Sequence, residues 1–363
     1  MTSVDDIVGP ETAAELERRT SYLELFFDLV FVFAITQVVT LMVDDPTVAG
    51  YGRAAVVLWL VWWAWGGYAW MTNAISIESR GVRIAVLAVT LVCLFVALGV
   101  PGAYGDDVWW FVVPYFAVRV AHIALYVWGL RLEPEHQAAI RQLAPWFLVA
   151  PLVVLAGGLV HGNIRVGLWL AAAAIDIAGA LRLAGAGFRV SVSHFAERHS
   201  LFVIIALGES IVAVGIGAAG LPRDTLFAVS VAIAFAGVAA LWWAYFDFLT
   251  LGAERALTRL PIERRGPVAR DLYSILHYPF VLGIIFFAVG AKKTLEYPDE
   301  PLSSAGRWAL GLGAAVYLLG SVLGRLRAIR TVAWERALGI IAALLATVLL
   351  QTPTVCGSSL RSP

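Results

Sequence analysis

The sequence predicts an all-α integral membrane protein of about eleven transmembrane helices. They are expected as two parallel six-helix-type repeats, the second lacking its last helix. Three observations carry this expectation. The chain of 363 residues is 60% hydrophobic and only 14% charged, with a mean hydropathy of +0.82, whereas about 25% of an ordinary soluble domain is charged. Apolar runs of helix-spanning length recur from one end to the other, joined by connections too short to hold a soluble domain. Short sequence features also recur at an offset of 180 residues: Glu17-Arg18 as Glu197-Arg198, and Trp62-Trp63-Ala64 as Trp242-Trp243-Ala244.

Between charged or Gly/Pro breaks, the runs fall at about 22–43, 54–74, 84–100, 108–130, 143–160, 166–184, 200–219, 225–249, 271–291, 306–324 and 335–352. Pro114, Pro145, Pro151 and Pro279 lie in these spans or near their ends, where neighbouring helices re-satisfy the freed carbonyls. Thr250–Arg270 reads as the longest polar connection. An even number of helices per unit makes the repeat parallel, and places its units at 1–187 (six helices) and 188–363 (five helices and a polar tail, QTPTVCGSSLRSP).

The first sixteen residues hold Asp5, Asp6, Glu11 and Glu15 and no base, the reverse of a signal peptide's n-region, so 22–43 is expected to be retained as a helix. With the N-terminus in the cytoplasm, 18 of the 26 Lys and Arg fall in inside segments, 7 fall outside, and Arg119 lies mid-span. That asymmetry predicts a cell-membrane protein with its N-terminus cytoplasmic. Zero net charge gives no electrostatic case for nucleic acid. Cys93 and Cys356 are too few for a disulfide framework.

Acids and bases inside apolar spans are the candidates for function, because a carboxylate at the centre of a spanning helix costs on the order of 2.5–3.5 kcal/mol unless it meets protein, water or a cation. Glu24 and Asp28 are four apart and share one helix face. Glu24 is close enough to the membrane edge to snorkel; Asp28, about 9 Å in, is not. Glu209 lies near the middle of its span between Gly208 and Ser210, where the glycine admits a neighbouring backbone and the serine can bond a carboxylate or an ion. Arg119 and His122 share one face of the fourth span, and the arginine needs an acid partner among Asp28, Asp176 and Glu209. All are expected to converge in one buried polar cluster. Asp247 and His277 lie nearer the ends of their spans, where solvation accounts for them.

His194, Glu197 and His199 do not have the spacing of a zinc motif, and a juxtamembrane amphipathic lead-in is the expectation there. The Trp-rich stretches at 59–70 and 242–245 read mostly as interfacial anchoring and packing, and Gly320-x-x-x-Gly324 as a helix-packing motif. No nucleophile elbow, phosphate loop or dinucleotide fingerprint is present, so neither cofactor nor metal is expected.

Glu24-Leu-Phe-Phe-Asp28-Leu-Val-Phe-Val-Phe-Ala-Ile-Thr36-Gln37 resembles the signature of the bacterial low temperature requirement protein A (LtrA) family. Further family-like blocks are His194-Phe-Ala-Glu197-Arg198-His199 through Gly208-Glu209-Ser210, Leu241-Trp242-Trp243-Ala-Tyr245-Phe-Asp247, and His277-Tyr-Pro279-Phe. The resemblance implies a multi-pass membrane protein from a family named for a cold-growth phenotype, and implies no particular reaction. The expected function is a proton- or cation-linked transporter or channel-like protein whose partners are the bilayer and a proton, a cation or a small molecule. The alternatives are an intramembrane enzyme acting on a lipid or prenyl substrate, and a non-catalytic membrane stress or assembly factor.

Overall fold

A computed structural model of the chain describes residues 19–75, 77, 79–129, 134–182, 191–247, 251–296 and 300–349. The expected boundary of the two units, between 187 and 188, and the polar tail (351–363) lie outside the described residues.

The long helices are α1 (Tyr22–Asp44), α2 (Val48–Ala74), α3 (Arg80–Gly99), α4 (Trp109–Gly129), α5 (Pro134–Gly157), α6 (Gly162–Arg182), α7 (Val192–Ala218) and α8 (Thr225–Tyr245). Two short helices follow, α9 (Leu251–Thr258) and α10 (Ile262–Ala269), then a π-helical segment at Arg270–Ile275. The described chain closes with α11 (Tyr278–Glu296), α12 (Ser304–Ile329) and α13 (Trp334–Leu349). Among the described residues nine helices are long and apolar enough to cross a membrane. α5 offers only the shorter apolar stretch Ala144–Gly157, and α13 has 16 residues.

Polar caps set the starts. Ser21 accepts from Glu24 N while Glu24 reaches back to the Ser21 amide, a complete capping box. Thr47, Ser79, Asp224 and Ser303 cap α2, α3, α8 and α12 in the same way. The polar connection expected over Thr250–Arg270 is in fact partly helical, as α9 and α10. The span expected from residue 271 instead begins with the π segment, whose wider turn frees carbonyls for side chains.

α1 packs on α2 and α3, α3 on α4, α4 on α5, and α5 on α6, while α2 also touches α4 and α6. α7 packs on α8, α11 and α1; α11 packs on α12, and α12 on α13. Residue burial places α2 at the centre and α8 at the edge: 78% of the apolar window of α2 is buried against 6% for α8. Glycine lets α11 and α12 approach closely, since a Cβ on Gly283 would lie 2.7 Å from the Gly313 carbonyl oxygen.

The tryptophans divide along the same line. Trp62 and Trp65 are fully buried, whereas Trp242 and Trp243 on α8 are exposed. Of anchoring and packing, the first stretch therefore does the packing: its indoles face the centre of the bundle, where a nitrogen gains from a partner. Trp62 Nε1 donates to the Ser274 carbonyl and Trp70 Nε1 to the Ser274 hydroxyl, so the π segment supplies both acceptors. Of the two packing glycines, Gly320 lies against Pro279 and Phe280, but a Cβ on Gly324 would meet nothing within 4 Å.

Candidate functional site

The expectation of one convergent polar cluster is not met; the intramembrane charges separate into two clusters and one isolated acid. The first cluster is a ladder between α1 and α7. Glu24 and Asp28 stand one turn apart on α1, and His194 and Arg198 stand one turn apart on the facing side of α7, all four buried. Arg198 Nη2 donates to Asp28 Oδ1 at 2.7 Å, and Arg198 Nη1 lies 3.0 Å from Glu24 Oε1. His194 Nε2 also lies 3.0 Å from Glu24 Oε1. These two contacts to Glu24 Oε1 are at ion-pair distance without hydrogen-bond alignment. Trp65 Nε1 donates to Asp28 Oδ1 at 2.8 Å, and Arg198 lies 5.8 Å from the same indole ring. Asp28 Oδ2 is buried and has no hydrogen-bond partner among the described residues.

Glu24 therefore does not snorkel. Its capping bonds to Ser21 and the pull of Arg198 turn it into the bundle. Next to it, Glu197 accepts from the Thr20 amide and hydroxyl, tying the lead-in of α1 to α7.

Asn73, at the end of α2, fixes the hydrogen-bonding role of His194. The Ser191 amide donates to Asn73 Oδ1, and Asn73 Nδ2 donates to the Ser191 carbonyl, so the amide cannot be flipped without losing both bonds. Nδ2 thus points its other hydrogen at His194 Nδ1, 3.2 Å away, which must accept. The imidazole hydrogen is then on Nε2, facing Glu24.

The second cluster joins α4 and α6. Arg119 donates from Nη1 and Nη2 to the two oxygens of Asp176 at 2.9 and 2.7 Å, and from Nη1 to the Tyr115 hydroxyl at 2.9 Å. Asp176 is thus the partner taken from the three expected, in the bidentate geometry a guanidinium favours. His122 stands apart from this pair; its ring packs against Gly67 and the rings of Tyr68, Tyr126 and Phe147.

Glu209 is buried on α7 away from both clusters, and Thr36 Oγ1 of α1 donates to its Oε2 at 2.5 Å. Ser210 does not join it: its hydroxyl donates to the Ile284 carbonyl of α11. Gly208 brings no backbone close, since a Cβ there would meet nothing within 4 Å. Asp247 is exposed. His277 is buried rather than solvated, its Nδ1 2.7 Å from the Leu272 carbonyl and its Nε2 2.7 Å from the Tyr245 hydroxyl. With Nδ1 donating to that carbonyl, Nε2 accepts the tyrosine proton. His199 has the same kind of anchor, Nδ1 at 2.8 Å from the Phe195 carbonyl, and its ring lies among Trp65, Tyr273 and His277.

Sequence reasoning missed Arg198 and its role, and undervalued His194. Their signal was present: His194 and Arg198 repeat the four-residue spacing of Glu24 and Asp28 with basic in place of acidic side chains. Counting Arg198 as a loop residue hid it, because α7 begins at Val192, roughly 9 Å of helix earlier. His194, Glu197 and His199 point to three different neighbours, which accounts for their failing a zinc spacing.

Comparison with known proteins gives two matches and one absence. The model of the bacterial low temperature requirement A protein family (LtrA) matches residues 19–360. The uncharacterized protein RA0937 of Rhizobium meliloti (strain 1021) is 30% identical over 302 residues, covering 78% of this chain and 71% of that protein. No solved structure matches.

Proposed function

The chain belongs to the bacterial low temperature requirement A (LtrA) family, and we propose that it is a proton- or cation-linked transporter or channel-like protein whose ion site is the ladder between α1 and α7. One observation carries the reading: among the described residues two buried carboxylates, Glu24 and Asp28, share a single fixed cation, Arg198. With His194 held as an acceptor at Nδ1, the cluster is one negative charge in excess. An isolated charge in a low-dielectric interior is expensive, so the site takes up one positive charge. Asp28 Oδ2, buried and unpartnered, is the atom that receives the proton, or that meets a monovalent cation in its place. Exchange of one for the other is the elementary step of coupled transport.

Glu209 is a further buried acid on the same helix pair, about three turns further along α7 than Arg198, and we assign it to the path between the ladder and the opposite face. Arg119–Asp176 is a structural strut. We also propose that the two units are parallel repeats with the N-terminus cytoplasmic and eleven crossings. The packing order supports this: α1 meets α2 and α3 as α7 meets α8 and α11, and α3–α4–α5 follow one another as α11–α12–α13 do. In both units a tyrosine bonds a backbone carbonyl across corresponding helices, Tyr68 to Val118 between α2 and α4, and Tyr317 to Leu241 between α12 and α8.

The test is proton flux in proteoliposomes loaded with a pH-sensitive dye, under imposed sodium or potassium gradients. One of the two gradients is expected to drive proton counterflow in the wild type, and Asp28→Asn is expected to abolish it while eluting as folded protein. Flux that survives in Asp28→Asn, or no flux under either gradient, overturns the assignment.

A further inference from the structure

A half-open cavity of about 290 Å³ lies at the end of the bundle where α1 and α7 begin. Its inner wall is made by Leu272 and Tyr273 of the π segment, by His277 just before α11 and by Phe280 in its first turn, and its mouth by Arg325, Glu335 and Arg336 where α12 passes into α13. The polar atoms of the inner wall are engaged or shielded: His277 uses both ring nitrogens, on Leu272 and Tyr245, and the Tyr273 hydroxyl is fully covered. The wall offered to an occupant is therefore largely apolar, while the mouth is charged.

The charge is one-sided. Segments 251–277 and 325–336 hold nine arginines against Glu254, Glu263, Asp271 and Glu335. Arg325 is engaged by Glu335, and Arg327 and Arg270 share Asp271. Arg330 makes no ion pair among the described residues and is exposed in a left-handed turn. Beside the mouth, α13 turns Trp334, Leu338, Ile341, Leu345 and Val348 outward, all exposed and at helical spacing, so the cavity opens next to a stripe that suits acyl chains.

We propose that this cavity binds an anionic phospholipid, with the headgroup phosphate among the arginines at the mouth and part of an acyl chain against Leu272, Leu276 and Phe280. An apolar wall gives a free phosphate nothing to gain, and a neutral lipid leaves the excess of arginine uncompensated. Each basic residue near a membrane surface strengthens anionic-lipid binding by about fivefold. The proposal does not depend on the ion site assigned above, because it concerns another group of helices and needs no titrating residue.

Native mass spectrometry of the full chain, released from membranes with equal phosphatidylglycerol and phosphatidylcholine, tests it. The wild type is expected to retain phosphatidylglycerol at least about fivefold over phosphatidylcholine. Gly324→Leu is expected to abolish that retention, since Gly324 lines the cavity and an added Cβ meets nothing within 4 Å. Gly215→Leu, equally open but on the outer face of α7, is expected to leave it unchanged. Arg330→Gln, which leaves the cavity wall intact, is expected to lower retention about fivefold and decides the matter should Gly324→Leu fail to fold. Equal retention of the two lipids by the wild type overturns the proposal, as does retention that survives both Gly324→Leu and Arg330→Gln. Inorganic phosphate that displaces the lipid as well as a short-chain phosphatidylglycerol does would identify a simple anion site and overturn the lipid assignment.

Discussion

The two buried ion clusters are made of the same parts and differ in their arithmetic. Arg119 and Asp176 are one base and one acid, joined by two parallel bonds with a tyrosine hydroxyl on the side. The α1–α7 ladder has two acids for one arginine, misaligned contacts to Glu24, and one carboxylate oxygen with no partner. A balanced pair closes on itself and pins α4 to α6, whereas an unbalanced group stays receptive to a further charge. The comparison teaches that depth in the membrane does not separate strut from site; charge balance and unmet hydrogen bonds do.

The largest break is Arg198→Leu, which strips Glu24 and Asp28 of the one fixed cation they meet among the described residues. Loss at or above the top of the about 3–5 kcal/mol range for a broken buried pair is expected, read as reduced membrane yield and a lowered thermal midpoint in detergent. Next comes the strut. Arg119→Leu and Asp176→Leu should each cost about 3–5 kcal/mol, and the double variant should return close to wild type, because the desolvated charge and its partner go together. Additive losses in the double would remove the strut reading.

A sharper contrast uses one substitution in two places. Asp176→Asn should fall in the same costly range, leaving Arg119 buried and uncompensated, whereas Asp28→Asn should change stability by no more than about 1 kcal/mol under the proposed proton uptake at Oδ2, since the amide would then replace a neutral carboxyl. Equal costs at the two positions, measured by thermal unfolding, would erase the distinction.

The smallest effect is expected at the pair outside the spans, Asp45 with Arg53. The Thr47 hydroxyl, and then Arg53, hold the Asp45 carboxyl below its ordinary value of 3.8. This carboxyl favours the fold above its unfolded value, and the contribution fades as pH falls through the lower folded value. Asp45→Asn should therefore approach the wild type toward the acid end of the range and be slightly less stable at pH 5 to 7. A thermal-shift series across pH 2.5–7 would read about the same difference throughout if the pair contributes nothing.

Much of the architecture was legible because spanning helices are long and need apolar residues on every lipid-facing side. Each expected span from 22–43 to 335–352 overlaps a helix, with starts displaced by up to nine residues, as where 143 was expected and Pro134 begins the helix. The exceptions have local causes: the sequence over 250–270 is polar yet helical because α9 and α10 lie where polar faces meet water, and the π segment carries no compositional mark. The Arg119–Asp176 pairing was legible as one option of three, since one mid-span arginine must find a mid-span acid. The ladder was half legible. Glu24 and Asp28 advertise themselves by violating an apolar run, but His194 and Arg198 sit where a chain looks like a polar lead-in, and only the meeting of α1 with α7 turns them inward. Pairings between helices far apart in sequence are not written in either helix alone.

Asn73 gives the ladder a mechanical input. Its amide is clasped to the Ser191 backbone and shows one hydrogen to His194, so the end of α2 and the start of α7 together decide which imidazole nitrogen is open. The same three bonds tie the last turn of α2 to the first turn of α7, so the ladder's geometry is held from a point outside both of its rungs. Asn73→Ala should cost about 1–3 kcal/mol, read as a lowered thermal midpoint, because it removes the clasp and the hydrogen bond to His194 together.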